Sequence, residues 1–274
     1  MFSPSIIMLY LRSLLFNLVW YINIIVQMLV QLPIYFFLDH EHAQKIPKRW
    51  GLSNHWLHRV LVGTKMEVIG KENLLEDGCI VACKHQSIWE FYAVNAMLKN
   101  PAFVLKAELM KIPVFGWYVG KLKHIPIRRG DKGSAMRKMI SVARERIAEG
   151  RQILIFPEGT RKAPGADPDY RYGVTRMYLD LNCPVVPVAL DSGLYWPRRK
   201  FLRYPGVLRT KILEPIMPGL SGPEFSAELE RRIEEACDEL YFMTSKDAVH
   251  PPLNDAVMKR VKVAQERLNS QSDS

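Results

Sequence analysis

The sequence predicts a mixed, largely parallel α/β sheet flanked by helices and preceded by a membrane-associated helical segment. Three observations predict it. Short apolar runs bounded by turn residues, such as Ile153-Leu154-Ile155-Phe156, have the length and continuity of strands buried on both faces. Between such runs lie segments with apolar residues at helical spacing, as in Ala135, Met136, Met139, Ile140, Ala143 and Ile147, and this alternation builds layered α/β domains. Residues 13–38 form 26 consecutive positions without a charge.

As a helix, those N-terminal residues would run about 39 Å against a hydrocarbon core of about 30 Å, so their length permits a span. The segment is too long for a signal-peptide core and lacks a small-residue cleavage site, so it is expected to be retained. At 100° per residue, Arg12, Ser13, Asn17, Asn23, Gln27 and Gln31 fall within an arc of about 140°. That stripe favours a helix lying in the interface with its polar side turned to protein or headgroups; a single span is the alternative. Trp20 and Tyr21 suit an interface, and Pro33 ends or kinks the helix. Lys45, Lys48, Arg49 and Arg59 then form a basic flank of the kind found on the cytoplasmic side. The expected organisation is anchoring helices over 1–50, the α/β domain over 51–222, and C-terminal helices with a disordered tail over 223–274.

Gly51-Leu52-Ser53-Asn54 reads as a boundary before a short helix over 55–62. Strands follow at 66–69, closed by Gly70, and at 79–83, and a helix starts at Glu90. Residues 102–105 form the next strand, and 112–120 make an unusually apolar connection. A helix over 133–149 stops at Gly150, and the strand at 153–156 comes next. Pro164, Gly165 and Pro168 mark a mobile loop, followed by a helix over 174–181 and the last short core strand at 185–190. Residues 206–214 are read as an added edge strand. Phe225, Leu229, Ile233, Cys237 and Leu240 give a surface helix, Pro251-Pro252 breaks the chain, and a second helix runs to about Leu268, with 269–274 disordered.

Composition narrows the partners. Lys plus Arg number 38 against 28 for Asp plus Glu, and the surplus of +10 suits an anionic membrane surface or a phosphorylated substrate. Nucleic acid is disfavoured, because no basic stretch is interleaved with the aromatics. The four cysteines include no C-x-x-C, and Cys79 and Cys83 on one strand would lie about 13 Å apart, too far for a disulfide. A reducing setting and no metal site are expected.

His85 stands where a buried strand gives way to a helix, the place where α/β enzymes keep their chemistry. Glu90 is five residues on, about 140° around a regular helix, so the two meet only if His85 lies in the preceding turn. The carboxylate would then hold one ring nitrogen and leave the other to take a proton from a hydroxyl. Ser87-Ile88-Trp89-Glu90 equally spells a capping box, which gives Glu90 a structural reading. Pro157-Glu158-Gly159-Thr160 falls at the C-terminal edge of its own strand, matching His85.

Further blocks follow in order: Ile125-Pro126-Ile127-Arg128-Arg129-Gly130, Phe156-Pro157-Glu158-Gly159-Thr160-Arg161, and Pro184-Val185-Val186-Pro187-Val188-Ala189-Leu190. With the H-x4-acid block, they resemble the four motifs of the glycerolipid acyltransferases, in particular the 1-acylglycerol-3-phosphate acyltransferases, over residues 68–192. The resemblance implies transfer of a fatty acyl group from acyl-CoA or acyl-carrier protein to the free hydroxyl of a lysophospholipid. It implies no cofactor or metal, membrane lipids as partners, and the cytoplasmic face of a bacterial inner membrane as the location. It makes His85 the general base and Glu90 its orienting acid, with no covalent acyl-enzyme. Arg129 and Arg161 are expected on the acceptor phosphate. Lys106, Arg128, Glu158, Gly159 and Thr160 complete the substrate-binding set. Backbone donors near 158–160 and in the loop after His85 are alternative stabilisers of the oxyanion. The N-terminal helical pair is expected to embed in one leaflet, and residues 112–120 are read either as a wall of the acyl tunnel or as core.

The chain departs from the family pattern twice. Glu90 replaces the usual Asp, and Arg128 stands where Asp or Asn is commoner, which favours Arg129 as the phosphate ligand. A lyso-ornithine lipid is the alternative acceptor, against which Arg128-Arg129 argues. A serine hydrolase is disfavoured for want of G-x-S-x-G, and a disabled scaffold sits poorly with the retained histidine and arginines.

Overall fold

The computed structural model describes residues 4–128 and 132–272, so Arg129 lies outside the described residues. Its helices are α1 (Pro4–Tyr35), α2 (His40–Leu57), α3 (Trp89–Met97), α4 (Phe115–Lys121), α5 (Lys132–Ala148), α6 (Tyr172–Leu181), α7 (Ser192–Tyr195), α8 (Gly222–Lys246) and α9 (Asp255–Ser272). Its strands are β1 (Thr64–Ile69), β2 (Ile80–Cys83), β3 (Pro101–Lys106), β4 (Ile125–Ile127), β5 (Gln152–Ile155), β6 (Val185–Leu190) and β7 (Gly206–Ile212). They form one seven-stranded sheet in the order β1-β7-β6-β2-β5-β3-β4. Every neighbouring pair is parallel except β6 and β7.

The continuous apolar runs of β2, β5 and β6 are buried on both faces. Alternate residues serve different cores, as the two-residue period of a strand requires. Ile80, Ala82, Ile153 and Ile155 pack on one face with Phe225, Leu229, Ile233 and Leu240 of α8. Val81, Cys83, Leu154 and Val188 pack on the other, with Val94 of α3 and Leu98 just after it. All four cysteines are buried and free.

Three expectations are corrected. Gly51 does not start a new element: α2 runs through it to Leu57 and continues as a π-helical turn over His58–Val62. A Cβ on Gly51 would stand 2.7 Å from the Tyr92 carbonyl, so the glycine permits close contact with α3. β7 is not an edge strand, because it lies between β1 and β6 and leaves β1 at the edge. Positions 50 and 51 lie within α2, and α8 begins at Gly222 and packs into the central core. Residues 269–272 are helical within α9.

The polar stripe of α1 faces protein. Gln27 donates to Asn23 (2.8 Å) and to Ser53 (2.9 Å), Asn23 donates to Ser53 (3.0 Å), and the Trp50 indole donates to Gln31 (3.0 Å). Farther up the helix, Asn17 donates to the Phe201 carbonyl (2.9 Å). The rest of α1 is apolar and largely exposed, and by length and composition residues Ser5–Tyr35 are able to cross a membrane, with mean hydropathy 1.8. The connection at 112–120 forms α4 and braces this helical pair. Tyr118 is buried against Tyr35 and Trp50 and donates to the Met28 carbonyl (2.8 Å), while Trp117 and Ile112 stay exposed.

Candidate active site

β2, β3, β4, β5 and β6 all point the same way, so the residues after their C-terminal ends emerge at one edge of the sheet. That edge collects Lys84 and His85, Lys106, Arg128, the turn from Phe156 to Arg161, and Asp191 with Ser192.

His85 lies in the turn between β2 and α3, as a meeting with Glu90 requires. Its Nδ1 stands 3.5 Å from Glu90 Oε2, within ion-pair distance but outside good hydrogen-bond geometry. The imidazole stacks on Phe156, with ring centroids 3.9 Å apart and planes at 16°, and this fixes its tilt. The His85 carbonyl accepts from the Lys162 backbone at 2.9 Å, which ties the first motif block to the third. Nε2 makes no hydrogen bond among the described residues and is not among the buried unpartnered nitrogens, so it is the ring nitrogen on the open side.

Glu90 is fully buried. Its Oε1 accepts from the Gln86 amide (2.9 Å), the Ser87 amide (2.7 Å) and the Ser192 hydroxyl. Oε2 accepts from Ser87 (3.0 Å) and faces His85. The carboxylate thus satisfies the orphan amides at the start of α3, as a capping role predicts. The box is not reciprocal, however, because Ser87 Oγ accepts from Trp89 rather than from the Glu90 amide. One carboxylate thus caps α3 and faces the imidazole: the amides and Ser192 hold it in the geometry that aims Oε2 at the ring.

The Glu158 side chain, expected at the acceptor, turns inward instead. Lys84 Nζ lies 3.0 Å from its Oε1 and 2.6 Å from Oε1 of Glu234 on α8, and the Tyr170 hydroxyl donates to Glu234 at 3.0 Å. Burial pushes the Glu158 carboxyl pKa up, and Lys84 opposes the shift. Glu158 therefore forms no ion pair with Arg161, and the carboxylate anchors the turn that carries Gly159, Thr160 and Arg161. Gly159 has φ +63°, which only a residue without Cβ adopts freely, and its amide closes the turn onto the Phe156 carbonyl (2.9 Å). The half-buried Arg161 guanidinium makes no ion pair or hydrogen bond among the described residues. Burial, then Arg198 and Arg199, hold its pKa below the ordinary arginine value, and Glu90 acts the other way. Lys106 and Arg128 are exposed at the ends of β3 and β4.

Several participants were not singled out from the sequence. Ser192 on Glu90, Phe156 against His85, and Glu234 under Lys84 are three. Tyr241 is a fourth: its hydroxyl accepts from Gln86 Nε2 (2.6 Å), while Gln86 Oε1 accepts from the Gly193 amide (3.0 Å). The available signal was on α8, where Glu234 and Tyr241 stand seven residues apart, two turns along one face, beside the apolar stripe. Among the described residues, no three His, Cys, Asp or Glu side chains converge as a metal site.

An acyltransferase family profile matches residues 65–191. The chain is 35% identical over 189 residues to the 1-acyl-sn-glycerol-3-phosphate acyltransferase of Pseudomonas aeruginosa, covering 69% of this chain and 74% of that protein. It is 26% identical over 179 residues to the enzyme of the same name from Helicobacter pylori, covering 64% and 74%. The crystal structure of the 1-acyl-sn-glycerophosphate (LPA) acyltransferase, PlsC, from Thermotoga maritima matches it with a TM-score of 0.70 at 26% identity, over 84% of this chain and 96% of that one.

Proposed function

The chain belongs to the acyltransferase family of the 1-acyl-sn-glycerol-3-phosphate acyltransferases, and from that premise we propose that it transfers a fatty acyl group from an acyl thioester to the free hydroxyl of 1-acylglycerol 3-phosphate, making phosphatidic acid. The observation that carries the reading is the assembly, at one sheet edge, of a histidine facing a buried carboxylate and an arginine whose side chain makes no ion pair or hydrogen bond among the described residues. Nε2 of His85 takes the proton as the hydroxyl oxygen attacks the thioester carbonyl. The tetrahedral intermediate then collapses with loss of thiolate, which takes the proton back from the imidazolium. Glu90, 3.5 Å from Nδ1, stabilises that imidazolium and holds the ring with Nε2 outward. A thioester is already activated, so the step needs no cofactor, with acyl-CoA or acyl-carrier protein as co-substrate. Arg161 binds the acceptor phosphate, with Arg128 and Lys106 supplying further positive charge at the rim, and Arg129, outside the described residues, is a second phosphate ligand by its place in the motif.

The acceptor lives in a membrane, and the position of α1 supports work at its surface. Contacts from Asn17 to Tyr35 hold this helix against α2, α4 and residues 201–203, so it lies along the body of the protein with only its apolar side free. That arrangement favours insertion in one leaflet, on the cytoplasmic face where thioester donors are found. An acyl-transfer assay on purified protein, with a panel of lysolipids and both donor types, tests the function. The expected result is preferred turnover of 1-acylglycerol 3-phosphate, and preferred turnover of a lysolipid without phosphate contradicts it.

A further inference from the structure

Residues 196–204 lie outside all four motif blocks and build a basic loop beside Arg161. Arg203 organises it from within. Its Nη1 is shared among the carbonyls of Lys200 (2.7 Å), Phe201 (3.2 Å) and Leu202 (2.8 Å), and its guanidinium lies 4.8 Å over the Trp196 ring. Its backbone amide donates to Ser13 Oγ on α1 (2.9 Å), and Asn17 on the same helix holds the Phe201 carbonyl. The loop is therefore fixed at its centre and tied to the membrane-facing helix.

Arg198 and Arg199 stand exposed on this frame, and neither forms an ion pair among the described residues. Arg198 Nη1 donates to the Arg161 carbonyl at 2.7 Å, which uses one of its five N–H groups and leaves the others for a ligand. Both arginines act on the Arg161 guanidinium, with Glu90 as the opposing charge. Each repels the Arg161 guanidinium, and a bound anion would relieve that repulsion. Arg199 also holds φ +57°, a left-handed backbone that a side chain adopts at a cost and that clusters at functional positions.

We propose that Arg161, Arg198 and Arg199 form one anion subsite that takes the phosphomonoester headgroup of the acceptor lipid. The proposal rests on the acceptor reading given above and adds to it the two arginines from the loop held by α1. A phosphomonoester carries about −1.5 to −2 charge at pH 7 and three acceptor oxygens, enough for more than one bidentate arginine. The phosphodiester of a zwitterionic lysolipid has one negative charge and two free oxygens, so it fills the cluster poorly. The subsite selects between the two lipid classes.

The test uses the full chain in nonionic micelles without acyl donor, and measures Kd for 1-acylglycerol 3-phosphate, for lysophosphatidylcholine and for inorganic phosphate. Arg198→Gln combined with Arg199→Gln should weaken binding of the phosphomonoester lipid at least about tenfold, the loss expected for charge-assisted contacts, and leave lysophosphatidylcholine within twofold. Arg199→Gly separates the side chain from the fold. Glycine accepts the left-handed backbone, so this variant should melt no lower than the parent and still bind the phosphomonoester lipid several-fold more weakly. Unchanged discrimination between the two lysolipids in the double variant overturns the proposal, as does an equal loss for both. Inorganic phosphate binding as tightly as the lipid overturns it too, and so does a defect seen on anionic vesicles while micelle binding stays intact. If the wild type binds the phosphomonoester lipid selectively yet never acylates it, the reaction assigned above fails and the subsite stands.

Discussion

Lys84 and His85 are neighbours in the chain, and the structure treats them in opposite ways. The Lys84 ammonium is buried and has two carboxylates at 3.0 and 2.6 Å, on Glu158 and Glu234, while Tyr170 holds the second of these. The His85 imidazole keeps some exposure, has one carboxylate at 3.5 Å, and has neither ring nitrogen hydrogen-bonded among the described residues. The lysine side is a closed circuit that joins β2 to the Glu158 turn and to α8. The histidine side is left under-bonded, with its orientation imposed by Phe156 and by a carboxylate that is itself tied to two amides and Ser192. The difference teaches that rigidity and reactivity are assigned to successive residues: one fixes the edge of the sheet, and the other keeps bonding capacity for a substrate.

If that division is real, mutations at the two positions should damage different quantities. His85→Ala should lower kcat by at least about 10²–10⁴-fold, the usual contribution of a general base, with a melting temperature near that of the parent. Steady-state rates and thermal unfolding on the same preparation check it, and more than a tenth of the parent rate would break the comparison. Lys84→Met should do the reverse. It leaves Glu158 and Glu234 without their shared cation, and loss of one partner from a buried ion cluster typically costs about 3–5 kcal/mol of stability. Changing both carboxylates to Gln in the same background should restore most of the loss, and urea midpoints measure both. An Lys84→Met protein as stable as the parent would show that the closed circuit is not what fixes the edge.

A smaller effect sharpens the same contrast at the other end of the site. Asp191 precedes Ser192 and is wholly buried, and burial pushes its pKa up to about 7 although it accepts from the Arg209 amide and the Thr244 hydroxyl. The folded protein thus holds a proton that the unfolded carboxyl, with its ordinary pKa near ~3.9, has released. The contribution of Asp191 to stability therefore declines as pH rises from about 4 to about 7, and levels off above that. Asp191→Asn keeps the bond from the Arg209 amide, replaces the bond from the Thr244 hydroxyl by one donated to it from the amide NH2, and removes the titration. Its stability should vary less between pH 5 and pH 8 than that of the parent, as read by urea midpoints, and identical pH profiles would contradict the assignment.

The legible parts of the molecule were those carried by local pattern. The strand runs, the helix over 133–149, the strand-edge placement of His85 and of the Glu158 turn, and the polar stripe of α1 all follow from spacing within a single element or the turn beside it. What escaped depends on partners far along the chain. Gly51 looks like a breaker until Tyr92 is seen against it. Residues 206–214 read as an edge strand, yet β7 pairs with β1 from far back in the chain, which covers its free side. Glu158 carries no local sign that Lys84 will draw it inward, and Glu234 lies 150 residues from the lysine that it meets. Arg198 and Arg199 look like a solvated basic run, and only the fold sets them beside Arg161.

The central claim is that Glu90 is a catalytic partner of His85 as well as the cap of α3, and Glu90→Gln tests it most directly. Gln retains an oxygen for the Gln86 and Ser87 amides and so preserves much of the cap. It removes the negative charge that supports the imidazolium. The measurement is kcat for 1-acylglycerol 3-phosphate beside the melting temperature, with Glu90→Asp as companion. The account predicts a fall in kcat of orders of magnitude for Gln with a small change in melting temperature, and a much milder fall for Asp. A Gln variant that turns over as fast as the parent would leave His85 without a working carboxylate and contradict the account.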